Sequence, residues 1–503
     1  MEKPDNFTIV IFGASGDLTK RKLIPALFDS FVQGLLPKDF AILGVSRTEF
    51  SDEEFRKHLS EGIEKYSERK DIDKKKINEF IKTTYYQAID TAIPEEYAKV
   101  KEKICKIDED CKTENNYLFY LSIPPKLYSV VVESLNKQGL TEEKAKSGWR
   151  RVIVEKPFGY DLESAQKLNK SLLAILNESQ IYRIDHYLGK ETVQNMMVLR
   201  FANGIFEPLW NQKYIERIEI TSSESIGVED RGGYYDTSGA LRDMVQNHMM
   251  QVLAMVSMEP PSVFEADSIR NETLKVFQSL RPIKKSEVKD QVIRGQYLTS
   301  HVRGKELQGY REEKGVDPNS KTETFVALKL FIDNWRWGGT PFYIRSGKGL
   351  PTKVTEVVVT FKATPHKLFK NTQSNQLIIR VQPDEGMLLN FGMKMPGNGF
   401  EVKDVGMDFH YKDLSDIYIP SAYERLLLDC MSGDATLYTR GDAVEACWKF
   451  VMPILNDWQD PESKIYGYPI GSWGPKEAET LVEGEDWRYP CKNLTADNNY
   501  CEL

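Results

Sequence analysis

The nine residues from Arg183 to Glu191, RIDHYLGKE, set a carboxylate, an imidazole, a phenol and an ammonium side by side. Asp185, His186 and Lys190 suit a base-orienting group, a proton acceptor and a phosphate clamp; the same residues would also serve in a solvated loop. A second histidine, His248 in RDMVQNHMMQ, shares helical apolar spacing with Met244, Val245, Met249 and Val252, as a core histidine would. Gln246 and Asn247 nevertheless add polar groups to that surface. A histidine working as a general base needs a partner that fixes its tautomer and stabilises the imidazolium. Asp243, five residues earlier on the helix, points elsewhere; Asp185 in RIDHYLGKE is a candidate.

IFGASGDLTKRKL places Gly13 and Gly16 where a strand turns into a helix. Glycine there lets the backbone turn tightly and approach a pyrophosphate, whose charge rests on the free N–H groups of the helix start. The spacing is G-x-x-G, and Thr19 stands where a third small residue would allow close helix–strand packing, so a plain strand–glycine–helix turn also fits. After the next strand, AILGV, come Ser46, Arg47 and Thr48. An acidic residue at that position holds the ribose of NAD, whereas arginine pairs with a 2′-phosphate, which favours NADP. RRVIVEKPFG then ends an apolar strand with Glu155, Lys156 and Pro157. Open α/β sheets bind ligands outside their strand carboxyl ends. Lys156, presented by a proline-fixed backbone, can reach both a nicotinamide carboxamide and a sugar hydroxyl; an exposed strand-end lysine is the plainer reading.

These groups need elements to position them. At 503 residues the chain exceeds what one core usually supports, which predicts two domains. A composition of 41% hydrophobic and 28% charged residues is that of a globular protein and argues against wholesale disorder. The net charge of −8 gives no support for nucleic-acid or anionic-membrane binding, so an anionic substrate must be met by locally placed cations. MEKPDNFTIVIFG shows no leader pattern, and no apolar run is long enough to span a bilayer. The six scattered cysteines include no C-x-x-C pair and read as free thiols in a reducing, cytoplasmic setting rather than a disulfide or zinc framework, with no metal expected.

The first 160 residues alternate apolar strands (TIVIF, AILGV, residues 84–88, NYLFYL, RRVIV) with helical stretches at 17–31, 51–67 and 95–107. That alternation predicts a Rossmann-like parallel sheet with crossover helices. Beyond about residue 190, YIERIEITSSES, TFVALKLFI, FYIRSG, TEVVVTFK, NQLIIRVQP and GMLLNFGMK alternate in polarity, which predicts a larger α+β domain with a mostly antiparallel sheet covered on one side. Helices are expected at 237–258 and 421–431, a loop at KMPGNGF, and the domain boundary after residue 185.

GASGDL, RRVIVEKPFG, RIDHYLGKE, DRGGYYD with RDMVQNH, and RSGKGL with RVQP occur in an order and spacing that resemble the glucose-6-phosphate dehydrogenase family from end to end. The resemblance implies that residues 1–185 bind NADP and 186–503 bind substrate and drive oligomerisation. It implies that His248 takes the C1-hydroxyl proton of glucose 6-phosphate, paired with Asp185, while hydride passes to NADP⁺. His186, Tyr187 and Lys190 match the phosphate clamp. Lys156, Glu224, Asp243, Lys348 and Gln382 match sugar-contacting positions, as does Lys353, which stands where some relatives carry arginine. Gly13, Ser15, Gly16, Asp17 and Leu18 match the dinucleotide turn, joined by Arg47 and Lys156. A homodimer or homotetramer is implied, built through the large sheet. The E-K-P strand end also occurs in the inositol and glucose-fructose oxidoreductases, which need no phosphate clamp; HYLGK and the basic RSGKGLPTK favour a phosphorylated sugar.

Overall fold

The computed structural model describes every residue except 1–2, 70–71, 144–147, 370–371, 398, 415–417, 485 and 496–498. It divides into two compact units. The first comprises Met1–Lys190, Pro261–Asn271 and Ile419–Glu445; the second comprises Glu191–Pro260, Glu272–Tyr418 and Ala446–Leu503. A single cut after residue 185 was the expectation. The structure differs because the chain leaves the first unit after Lys190 and returns to it twice.

In the first unit, β1 (Phe7–Phe12), β2 (Phe40–Ser46), β3 (Thr84–Ala88), β4 (Tyr117–Leu121), β5 (Arg150–Val154) and β6 (Ile181–Ile184) pair in parallel in the order 3-2-1-4-5-6. Every residue of β1, β2 and β4 is buried, as strands covered by helices on both faces must be. The helix Asp52–Tyr66 starts where sequence placed it because Ser51 and Glu54 form a capping box: Ser51 Oγ accepts from the Glu54 N–H (3.2 Å) and Glu54 Oε2 from the Ser51 N–H (2.8 Å). Helices Lys74–Ile81, Tyr128–Lys137 and Leu162–Leu173, and β6 itself, add to the alternation read from sequence. Beyond β6 the short strand Tyr438–Thr439 pairs antiparallel with Ile184 and Arg183, closing that edge.

The second unit is built on a ten-stranded sheet in the spatial order Val402–His410, Gly386–Lys394, Gln376–Gln382, Val354–Phe361, Ile215–Ser223, Pro341–Gly347, Phe325–Phe331, Val292–Leu298, Tyr466–Pro469, Cys501–Glu502. Two neighbouring pairs are parallel, Ile215–Ser223 with Pro341–Gly347 and Val292–Leu298 with Tyr466–Pro469; the others are antiparallel. The expectation that one face would be open does not hold at its centre. Arg217, Glu219, Arg345 and Glu356 are buried on the polar face by a C-terminal segment. Arg217 pairs with Glu219 (3.0 Å), Glu219 accepts the Arg488 N–H (3.0 Å), and Arg488 pairs with Glu356 (3.2 Å). The Arg345 guanidinium lies 4.7–5.0 Å from the rings of Trp473, Trp487 and Tyr489. Alternation therefore reported polarity, which ion pairs and aromatic faces within the protein satisfy. Residue 398 of the expected KMPGNGF loop lies outside the described residues. Among the described residues no helix is long and apolar enough to cross a membrane.

Candidate active site

The residues singled out in the first unit gather at the carboxyl ends of its parallel strands, the ligand-binding edge of such a sheet. Gly13 follows β1 with φ +85°, and a Cβ there would stand 2.0 Å from the Ser122 carbonyl oxygen, so only glycine fits. Its N–H donates to the Val45 carbonyl (2.8 Å), tying the turn to β2. Gly16, exposed, precedes the helix that begins at Asp17 and runs to Val32 through a wide stretch at Thr19–Leu23. Thr19, buried, donates its hydroxyl to the Gly13 carbonyl (3.3 Å), so the residue that looked too large for the turn holds it together. Asp17 is engaged by Arg21 (2.6 Å), so what Asp17 and the partly buried Leu18 can offer an anion is helix-start N–H groups.

Ser15 Oγ lies 2.9 Å from Ser46 Oγ and 3.0 Å from Thr48 Oγ1, and Tyr86 extends the hydroxyl chain, donating to the Thr48 carbonyl (2.7 Å). Arg47 stands exposed beside them. An exposed arginine between Ser46 and Thr48 in the chain fits a phosphate ester on the ribose. Arg47→Ala is accordingly expected to raise the KM for NADP⁺ by about 10- to 100-fold, the equivalent of about 1.5–3 kcal/mol for a charge-assisted contact, and to leave that for NAD⁺ nearly unchanged. Initial rates with each cofactor check this, and equal effects on both would remove Arg47 from 2′-phosphate recognition.

β5 is followed by Glu155, whose half-buried carboxylate accepts the hydroxyls of Tyr120 and Tyr423 (the latter at 3.3 Å), while Tyr128 donates to its backbone carbonyl (2.9 Å). Burial pushes that carboxyl above its ordinary range, and the tyrosine hydroxyls oppose the shift. Lys156 is thus carried on a strand end anchored by three phenols, ahead of a cis bond to Pro157. At the end of β6, buried Arg183 pairs with Glu178 (2.6 Å) and Asn169 (3.1 Å). Asp185 follows, 3% exposed, its Oδ1 accepting the Tyr187 N–H (2.9 Å) and its carbonyl the Leu188 N–H (3.0 Å). The stretch is therefore a tight turn with its first carboxylate buried. Lys190 Nζ lies 5.4 Å above the Tyr187 ring, and the His186 ring stacks at 7° on Tyr423 with 6.3 Å between centroids. Gly189 lets helix Ala422–Ser432 approach, since a Cβ there would lie 2.6 Å from the Ala422 carbonyl oxygen.

The second unit collects its own residues at one end of four central strands. Ser223 faces both Gly347 and Val354, and Thr355 faces Gln382, so Glu224, Lys348, Lys353 and Gln382 all stand at the same edge. The Glu224 N–H donates to the Gly347 carbonyl (3.0 Å) and its carboxylate pairs with the Lys348 ammonium, which lies 5.3 Å from the Tyr235 ring. Gln382 donates to Thr355 Oγ1 (3.0 Å), and Lys353 is exposed. Asp243 and His248 ride on a wide helical stretch, Leu241–Met249, packed against strand Pro341–Gly347. His248 is 1% exposed. The helix expected over 237–258 is broken at Gly239 (φ +74°), where Gly232–Ala240 meets Leu241–Met249 before Met250–Ser257.

Residues 10–195 match the family description "Glucose-6-phosphate dehydrogenase, NAD binding domain" and residues 197–490 "Glucose-6-phosphate dehydrogenase, C-terminal domain". The chain belongs to the glucose-6-phosphate dehydrogenase family. A glucose-6-phosphate 1-dehydrogenase of Aggregatibacter actinomycetemcomitans is 53% identical over 491 residues, covering 97% of this chain and 98% of that one. One from Treponema pallidum (strain Nichols) is 50% identical over 503 residues, covering 98% and 97%. A structure described as glucose-6-phosphate dehydrogenase in complex with its substrate glucose-6-phosphate superposes with a TM-score of 0.89 at 34% identity, over 97% of this chain and 99% of that one. The resemblance carried by the motifs thus extends over the full length, and the fold is that of glucose-6-phosphate dehydrogenase in both units.

Tyr423 escaped the sequence reading, as did the part played by Glu155. Glu155 stood in view in E-K-P, but a carboxylate beside a lysine gives no sign that two phenols will converge on it and a third on its backbone carbonyl. Tyr423 lies far along the chain in a helix whose only sequence signal was apolar spacing.

Proposed function

We propose that this chain does what its family's name states: it oxidises D-glucose 6-phosphate at C1 to 6-phospho-D-glucono-1,5-lactone, the first step of the oxidative pentose phosphate pathway. The observation that carries the reading is the family match over residues 10–195 and 197–490. NADP⁺, when bound, supplies the hydride acceptor, held by Gly13, Ser15, Gly16, Asp17, Leu18 and Arg47. His248 takes the C1-hydroxyl proton as hydride departs, and Asp185 is the carboxylate that fixes its tautomer and stabilises the imidazolium. Lys156 serves the cofactor and sugar together. His186, Tyr187 and Lys190 hold the phosphate, and binding of that remote group orients C1. Glu224, Asp243, Lys348, Lys353 and Gln382 contact the sugar; the Glu224–Lys348 pair offers an acceptor and a donor already fixed to one another, suited to hydroxyl groups. The test is whether the purified chain forms NADPH from NADP⁺ when glucose 6-phosphate is added; absence of that absorbance overturns the reading.

The first unit is read as the cofactor half and the second as the substrate and oligomerisation half. Dimer or tetramer formation through the large sheet is supported by its outer strands, where Met393 and Met407 are exposed on Gly386–Lys394 and Val402–His410. Sedimentation velocity is expected to show a dimer or tetramer, and a monomer at micromolar concentration would remove it. All six cysteines are free thiols, the state expected in the cytoplasm.

A further inference from the structure

The helix that carries Asp243 and His248 begins in an unusual way. Gly239 turns to φ +74° and ψ 169°, breaking the preceding helix, so the N–H groups that open the next one lose their upstream carbonyl partners. Two of them are recovered by one residue, Glu323, just ahead of strand Phe325–Phe331. The Glu323 backbone carbonyl accepts the Ala240 N–H (3.0 Å), and Glu323 Oε1 accepts the Leu241 N–H (2.9 Å). Glu323 is 2% exposed and lies so close that a Cβ on Gly239 would stand 2.4 Å from its Oε1. The next residue, Thr324, holds a different part of the same unit. Its carbonyl accepts the Lys348 N–H (2.9 Å), and its hydroxyl lies 2.9 Å from the Tyr468 hydroxyl, which donates to the Lys348 carbonyl (2.7 Å). Two consecutive residues, neither among the groups assigned to sugar or cofactor, therefore fix both the start of the His248 helix and the backbone of Lys348.

We propose that Glu323 is a positioning residue for the dehydrogenase reaction, setting His248 at its working distance from the sugar held by Lys348. This rests on the reading of His248 as the base. The bonding needs an acceptor at Oε1, whatever the charge on the carboxyl. Burial pushes that carboxyl upward, while the Leu241 N–H and the nearby Arg242 and Arg294 oppose the shift. Glutamine keeps such an acceptor and alanine does not.

The experiment compares Glu323→Gln, Glu323→Ala and His248→Asn in the full chain. It measures steady-state rates, the primary isotope effect on kcat with glucose 6-phosphate deuterated at C1, and NADP⁺ affinity by fluorescence titration. Glu323→Ala is expected to lower kcat by about 10- to 100-fold, as misplacement of about 1 Å can, and to raise the isotope effect as hydride transfer becomes limiting. Its NADP⁺ affinity is expected to stay at the parent value, and Glu323→Gln to stay within about twofold of the parent throughout. An unchanged kcat and isotope effect in Glu323→Ala, equal damage in Glu323→Gln, or a matching loss of NADP⁺ affinity overturns the proposal. If the alanine variant does not fold, Glu323→Asp, which withdraws the acceptor by one methylene, is judged by the same readouts. Full activity in His248→Asn would instead overturn the base assignment; an inactive His248→Asn beside an unaffected Glu323→Ala removes the positioning role alone.

Discussion

His248→Asn is expected to lower kcat by roughly 10²-fold or more, with little change in affinity for the sugar phosphate. Asparagine preserves a polar, hydrogen-bonding side chain of smaller size but has no basic nitrogen, so it removes proton acceptance while disturbing the helix little. The loss belongs in kcat because the C1-hydroxyl proton is transferred in the transition state, whereas affinity comes chiefly from phosphate and hydroxyl contacts assigned to other residues. Steady-state NADPH formation and equilibrium titration with glucose 6-phosphate separate the two quantities. An unchanged kcat would move the base elsewhere; equal losses in rate and affinity would mean that the substitution damages binding.

The second large effect concerns the phosphate. Unphosphorylated glucose is expected to react with a kcat/KM lower by about 10²–10⁴-fold, because at least two charge-assisted contacts of about 1.5–3 kcal/mol each go unmade. The turn that would make them is well prepared. Asp185 closes it, Tyr423 backs the His186 ring, and the Lys190 ammonium lies against the Tyr187 ring. In the proposed clamp such preorganisation would let phosphate binding orient C1 rather than merely add affinity. Rates with the two sugars at matched concentrations check the figure. Lys190→Ala is expected to narrow the gap, and equal kcat/KM for glucose and glucose 6-phosphate in the parent chain would sink the clamp.

Much of the first unit was legible because its signals are local. TIVIF, the glycine turn and the Ser51 cap each act within a few residues, and the structure places strand, turn and helix where they indicate. The grouping of Gly13, Arg47 and Lys156 at strand carboxyl ends followed from the alternation, whereas Asp185 joins them through β6, which the alternation did not reveal. What stayed hidden depends on partners distant in sequence. Nothing in residues 419–445 signals a return to the first unit, because helix Ala422–Ser432 and strand Tyr438–Thr439 carry ordinary apolar patterns. The polar face of the large sheet looked solvent-facing because alternation distinguishes polar from apolar, and Arg345 and Glu356 are polar yet enclosed. The break at Gly239 was equally silent: one glycine in a helical pattern reads as tolerated until Glu323 is seen against it.

The strand Tyr438–Thr439 has a consequence for the order in which the molecule assembles. During synthesis β1 to β6 emerge first and can pair among themselves, yet β6 remains an open edge until residues from the distant end of the chain arrive to cover it. The same late segment supplies the helix against which Gly189 packs. The nascent first unit thus waits, with an unpaired strand beside its RIDHYLGKE turn, for most of the second unit to be made. A contact of such long sequence separation slows folding and prolongs the interval in which that edge can pair wrongly. Packing of helix Ala422–Ser432 against the turn that bears Asp185 is in this way a late event, coupled to synthesis of the residues up to that helix.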